Sequence, residues 1–321
     1  MGSSENFNPL RGVKSLLALL YFYSVLQTTR KQKEQDRHEQ NSCISRGHFM
    51  TSPSLFNALE QAHDVQWESS VHSSVTPPIL DKLFAGQIAG ICIPNFLTRK
   101  EAEALSQRAE DLEFKDYLNV APRIGRVGVT VFEYDSIGKP GYFEAVPQAN
   151  RRIAHLTEGI CNPLERVLAW LKTMSPRAQV GIAYEQNFGP YFAGLFRRIE
   201  EGTLIHVDFA PVEQPNWGVA QVTAQLAFNI YLKCPDPEPG VVHIWKKQWE
   251  PADETEKIAG TYGYQPGVVE NVPFAAIMPE PGMLMVINTK NYHQVSPAAG
   301  IRIAISAAIG RMPNGDIVLW S

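Results

Sequence analysis

Cysteine is scarce in this chain: four among 321 residues, Cys43, Cys92, Cys161 and Cys234, with no pair spaced as Cys-x-x-Cys. That spacing excludes a zinc knuckle and a redox dithiol, and so few thiols in so long a chain point to a reducing compartment. Cys92, within Ile91-Cys92-Ile93, is expected in the core. Charge is sparse as well. Only 19% of residues are charged, the net charge is -4, and there is neither a basic patch nor a long acidic tail. The electrostatic footprint of a nucleic-acid-binding protein is therefore missing, and a small molecule is the expected partner. Internal repeats are absent.

No apolar run is long enough to cross a bilayer comfortably. Ser15 to Leu26 is apolar and follows Arg11 and Lys14, but a span needs about 20 such residues. A basic flank before an apolar run resembles a secretory signal, yet Gln27-Thr28-Thr29 and Arg30-Lys31-Gln32-Lys33 follow without a small-residue cleavage site. Polar and charged sequence then continues to about Gln40. Residues 1–50 are expected to be a disordered or dispensable extension, with Met50 as an alternative natural start. A membrane-proximal anchor through residues 15–26 and a signal peptide stay open beside a cytoplasmic location. Residues 51–321 read as a single domain, helical to about residue 178 and β-rich from about 179.

What is present is a clear succession of patterns. Gly86 to Ile93 reads as a strand ended by Pro94-Asn95. Thr98-Arg99-Lys100-Glu101 fits a capping box, with Ala102, Leu105, Ala109 and Leu112 at helical spacing behind it. A helix pair is expected over Ala149 to Lys172, interrupted at Pro163, with Leu164, Val167, Leu168 and Leu171 as its buried stripe. The period then changes to two. Val222, Ala224, Leu226, Phe228, Ile230 and Leu232 face one way, and Thr223, Gln225, Ala227, Asn229 and Tyr231 the other. Val241 to Trp245, Met283 to Ile287 and Ile301 to Ile309 are further strands, and Arg302, Ala304, Ser306 and Ala308 share one face of the last. Helices first and strands after predict an α+β protein with a double-sheet jelly-roll (double-stranded β-helix, cupin-like) core flanked by N-terminal helices.

Polar strand faces turned into such a core would make a wet cavity suited to metal ligands. Thr203-Leu204-Ile205-His206-Val207-Asp208 places His206 and Asp208 two apart at an expected strand end, on the same side. His293 follows the strand that ends in Val286-Ile287-Asn288. Two imidazoles and one carboxylate are the facial-triad ligand set of non-haem iron(II) oxygenases. Arg302, nine residues after His293 on the inward face, suits a dicarboxylate clamp, with Ser306, Gln225 and Asn229 as hydrogen-bonding neighbours. A lone His-x-Asp is a weak signal; its weight comes from the order His-x-Asp, Pro-Gly turn, strand, His and Arg. Phe209, Trp217, Tyr184, His243 and Trp245 are aromatic and polar candidates for substrate contact, and Phe188 to Tyr191 a candidate lid. Of Arg197 and Arg198, adjacent on a strand, one is expected to face solvent.

The run Pro281-Gly282-Met283-Leu284-Met285-Val286, then Tyr292-His293-Gln294-Val295-Ser296-Pro297, then Gly300-Ile301-Arg302 resembles the C-terminal half of iron(II)/2-oxoglutarate oxygenases. Within that superfamily the chain is similar to the carrier-protein-independent alkaloid halogenases of the hapalindole and welwitindolinone type, through Tyr-His-x-Val-x-Pro, Gln248-Trp249-Glu250-Pro251 and Trp320-Ser321. The likeness spans roughly Phe84 to Ser321. It implies iron(II), 2-oxoglutarate and O₂, with 2-oxoglutarate chelating the metal and its distal carboxylate on Arg302. In those halogenases Gly stands where this chain has Asp208, freeing a site for chloride. The carboxylate here implies hydroxylation, desaturation or ring formation instead, at an unactivated C–H of a small molecule. A second departure is Ala304, where many relatives carry Ser; Ser306 lies one step further on the same face. Two alternatives stand beside this reading: the same chemistry on a protein or free amino acid, and a cupin-like metal- or ligand-binding module without redox turnover, which leaves Arg302 without a role.

Overall fold

Thr98 opens the first long helix by the reciprocal bonds its sequence predicts. Its Oγ1 accepts from the Glu101 amide at 3.3 Å, and Glu101 Oε2 accepts from the Thr98 amide at 2.7 Å. In this computed structural model residues 64–117, 120–135 and 137–321 are described, so the apolar stretch 15–26, Cys43 and Met50 lie outside the described residues. Four helices matter for the site: α1 (Pro77–Phe84), α2 (Arg99–Glu110), α3 (Lys139–Thr157) and α4 (Pro163–Met174). The Glu101 carboxylate also takes two bonds from Arg166 of α4, at 3.0 and 2.6 Å, so the cap of one helix staples a second. The helix pair expected over 149–172 is present, but its first member begins at Lys139 and carries Pro147 inside it. Burial of Tyr142, Val146 and Ala149 on one face outweighs the lost hydrogen bond.

Ten strands are used below. They are β1 (Gly90–Ile93), β2 (Ile124–Val127), β3 (Leu195–Ile199), β4 (Ala224–Lys233), β5 (Val242–Gln248), β6 (Phe274–Ile277), β7 (Leu284–Asn288), β8 (Asn291–Val295), β9 (Arg302–Arg311) and β10 (Ile317–Trp320). The larger sheet runs in the order β1-β7-β4-β9-β3-β2, with β10 on the far end of β9; the smaller is β6-β5-β8. This is the α+β jelly roll expected from the strand pattern. Gly86 to Ala89 are not in β1: Gly86 sits at φ +67°, in a turn, and the strand begins four residues later.

The two faces of β4 and β9 separate as their alternation predicts. Leu226, Phe228, Ile230, Ile303, Ile305 and Ile309 pack outward onto Leu80, Leu83, Leu105, Val167 and Leu171 of the helices. Tyr231 and Ala304 turn inward, between the sheets, against Val242, Ile244, Met285 and Val295. In the register, Ala304 pairs with Tyr231 and Ser306 with Asn229 on one side, and Ala304 with Arg197 on the other. Opposite residues share a face, so one polar row crosses the inner surface of the larger sheet.

Candidate metal centre and cofactor pocket

His293 is the middle residue of β8, where the sequence pattern had placed it after a strand, and its pairing with Ile244 of β5 turns the ring inward. His206 does not end a strand. Its segment is extended, but it joins the sheet through one bridge only, in which His206 N donates to His293 O (3.0 Å) and His293 N to His206 O (2.9 Å). That bridge brings the ring centroids to 4.1 Å. Gly202 makes the approach possible: at φ +81°, a Cβ there would lie 2.5 Å from the Val295 carbonyl oxygen. Two residues beyond His206, Asp208 is tied at both ends of its peptide to Thr289, whose O accepts from Asp208 N (2.9 Å) and whose Oγ1 donates to Asp208 O (2.8 Å).

The donor atoms of His206, Asp208 and His293 lie within 4.8 Å of one another, with Asp208 Oδ2 3.7 Å from His293 Nε2. Each imidazole has Nδ1 engaged by a backbone carbonyl, Leu204 O at 2.8 Å for His206 and Asn291 O at 2.9 Å for His293. A protonated Nδ1 leaves Nε2 as the lone-pair donor, the tautomer a metal requires. Burial, and then the field of His293, pushes the His206 imidazole down to about 4. For Asp208 burial acts upward, but the hydrogen bond with His293 and the fields of both imidazoles and Arg197 hold the carboxyl well below its usual range. Two imidazoles and one carboxylate gathered in this way are a donor set that would hold a non-haem iron(II).

The cluster opens into a cavity of about 140 Å³, lined by Tyr117, Phe132, Arg197, Glu213, Gln225, Tyr262, Ser306 and Trp320 among others. Gln225 uses its Oε1 to accept from Ala210 N at 2.8 Å, pinning the chain just after Asp208 and leaving its amide N–H groups as donors. Ser306 Oγ is buried without a partner. Arg302 lies two alternations further along the inner face, 4% exposed, with Nη1 donating to Gly240 O at 2.9 Å and the guanidinium 5.6 Å from the Tyr231 ring. Among the described residues it has no carboxylate partner, and burial lowers its pKa. Asn229 stands across from Ser306 in the register.

The sequence-level candidates for substrate contact fare differently. Tyr184 is 70% exposed, and Trp217 is buried in an aromatic cluster with Nε1 donating to Asp135. His243 lies outside the cavity lining, between Phe274 and Trp245. Phe209 carries Lys290 over its ring. The candidate lid is anchored: Tyr191 is 2% exposed and hydrogen-bonded to Glu185, while Phe188 stacks on Phe143. Tyr117, Glu213 and Tyr262 line the cavity instead, and no motif marks them. Burial, then the Asp208 charge, pushes the Glu213 carboxyl up to about 8.

Comparison with known proteins places the fold and the family. A solved N-substituted L-amino acid dioxygenase from Burkholderia ambifaria, in complex with alpha-KG, superposes with a TM-score of 0.52 at 14% identity over 76% of this chain and 90% of its own, a likeness of fold. An L-gamma-glutamyl-L-propargylglycine hydroxylase from Streptantibioticus cattleyicolor is 30% identical over 258 residues, 75% of this chain and 91% of that protein. The leucinostatins biosynthesis cluster protein S of Purpureocillium lilacinum is 31% identical over 222 residues, 64% of this chain and 90% of that protein. Fold and site together define a non-haem oxygenase that depends on iron(II), 2-oxoglutarate and O₂. Residues 70–310 match the model of the carrier-protein-independent halogenase WelO5, and the chain belongs to that family. Among the described residues no helix is long and apolar enough to cross a membrane.

Proposed function

We propose that this oxygenase hydroxylates an unactivated C–H of a small specialised metabolite or amino-acid derivative, releasing succinate and CO₂, with iron held by His206, Asp208 and His293. The observation that carries the reading is the Asp208 carboxylate, set beside both imidazoles by the Thr289 clamp. A third protein ligand takes the position that a halide needs, which favours hydroxylation over the halogenation for which the family is named. Desaturation and ring formation share the same first step and differ only in the substrate's fate. The hydroxylase among the relatives supports the reading.

Arg302 binds the distal carboxylate of 2-oxoglutarate, with Ser306, Asn229 and the free amide of Gln225 as further hydrogen-bonding groups along the inner face. A buried guanidinium pairs bidentately with a carboxylate, which a lysine would only approximate. When bound, iron and 2-oxoglutarate supply the oxidising chemistry. The chain's own groups orient the two ligands, exclude water between the sheets and present the substrate carbon.

Residues 51–321 act as one oxygenase domain in this reading, in a reducing, cytoplasmic setting that the free thiols of Cys92, Cys161 and Cys234 support. The net charge of -4 argues against association with nucleic acid. Turnover of 2-oxoglutarate to succinate by purified protein tests the assignment. Arg302→Ala should raise the 2-oxoglutarate concentration needed by at least about 100-fold while iron still binds. An unchanged requirement would remove Arg302 from the co-substrate site and leave a non-redox binding module as the better account.

A further inference from the structure

Two guanidinium groups reach the inner face of the larger sheet, and the distal carboxylate of 2-oxoglutarate pairs with only the deeper one, Arg302. Arg302 is deep in the barrel. Arg197 is on β3, directly opposite Ala304, and lines the cavity together with His206 and Asp208. Its neighbours resolve the ambiguity of the Arg197-Arg198 pair: Arg198 points the other way and is held by Glu200 at 2.6 Å. Across the next strand Arg126 is neutralised by Glu133. Arg197 has no such partner among the described residues, and its Nε is buried without a hydrogen bond.

A second donor stands beside it. The Arg197 guanidinium is 5.9 Å from the centre of the Tyr117 ring, and Tyr117 Oη is also buried without a well-formed hydrogen bond. Tyr117 gives Arg197 a neutral contact and Asp208 a more distant charge, yet the guanidinium has no ion-pair partner among the described residues and its Nε stays unsatisfied, a buried arrangement that an anionic ligand would complete. A planar carboxylate, with two oxygens each accepting from one donor, fits that pair of groups. Asp208 is the nearest acid in electrostatic terms, but its carboxylate is committed to the metal cluster.

We infer that Arg197, with Tyr117, receives a carboxylate on the substrate, so that the substrate is an acid of the amino-acid or N-acyl-amino-acid class anchored at one end of the cavity, with a remote C–H presented beside Asp208 and the histidines. This rests on the oxygenase reading above. Arg197 is a specificity-determining residue in this scheme, and the positive charge excludes neutral amide analogues by leaving the guanidinium unpaired.

The test compares acids with their own amides. Binding of N-acetyl-L-leucine, N-acetyl-L-norvaline and L-leucine, and of the carboxamide of each, is measured anaerobically by calorimetry on protein loaded with iron(II) and 2-oxoglutarate, and again on metal-free protein. At least one acid should bind about tenfold or more tightly than its amide. Arg197→Met should abolish that preference and Arg197→Lys keep part of it, with the 2-oxoglutarate titration unchanged in both. If no acid is preferred over its amide by wild-type protein, the inference is overturned without recourse to any variant. It is equally overturned if Arg197→Met raises the 2-oxoglutarate requirement while the acid preference persists, because Arg197 would then belong to the co-substrate. Failure of wild-type protein to bind 2-oxoglutarate with iron, read before any acid is added, would instead defeat the oxygenase reading, and the metal-free comparison would still decide Arg197.

Discussion

Asp208 owes its position to a residue far along the chain. Thr289 bonds both its amide and its carbonyl, and Thr289 is 1% exposed. Thr289→Val keeps the shape and removes the hydroxyl donor, so it should cost about 1 kcal/mol of stability, seen in urea unfolding. Iron should also bind about tenfold more weakly, since groups that hold a ligand typically matter by that amount; an unchanged iron affinity would show that Asp208 is positioned otherwise. The convergence of His206, Asp208 and His293 and the inward face of Arg302 were legible from their order in the sequence, although His206 sits on an extended segment and not at a strand end. Arg197, Tyr117, Glu213 and Tyr262 were not. Their convergence depends on the register among β2, β3 and β9 and on loops whose paths no local pattern encodes.

At the scale of elements, two joints hold the site's surroundings. The first is the segment leading to His206, where Gly202 passes against β8. Gly202→Ala meets both a left-handed φ and the Val295 carbonyl, so it should destabilise the fold by more than about 1 kcal/mol. It should also weaken iron binding, because the His206 bridge follows within four residues; a variant with wild-type melting and iron affinity would contradict that coupling. The second joint is Glu101, which caps α2 and pairs with Arg166 of α4. The Arg166 guanidinium first of all, against the upward push of burial, holds the Glu101 carboxyl down at about 2, from an ordinary 4.5. A depressed carboxyl stabilises the fold fully above pH 4.5 and loses that contribution as pH falls toward 2. Glu101→Gln keeps the capping box and removes the charge. The variant should be less stable than wild type by about 1 kcal/mol at pH 7, a figure discounted for partial exposure, and the gap should close between pH 4.5 and 2. A gap that stays constant across that range would mean that the ion pair contributes nothing. The capping box itself was readable from four residues of sequence, whereas the early start of α3 was not. Pro147 argues locally against a helix that only the burial of Tyr142 and Val146 sustains.

At the scale of the described molecule, the helices cover the outer face of the larger sheet with apolar side chains while the inner face keeps its polar row, and this division sets a polar centre inside an apolar fold. The period-two pattern of β4 and β9 made that division visible in advance. The smaller sheet was harder to see: β6 and β8 are short, and their pairing to β5 is set by packing across the barrel rather than by their own alternation. The central claim is that this centre binds iron(II) and 2-oxoglutarate together. Anaerobic titration of metal-free protein with iron(II) and then 2-oxoglutarate tests it by the weak visible charge-transfer band of a chelated keto acid. The band should form in wild-type protein and be lost in His293→Ala, whose iron affinity should fall by more than about 100-fold. Iron binding without the band in wild type, or a band that survives in His293→Ala, would contradict the account.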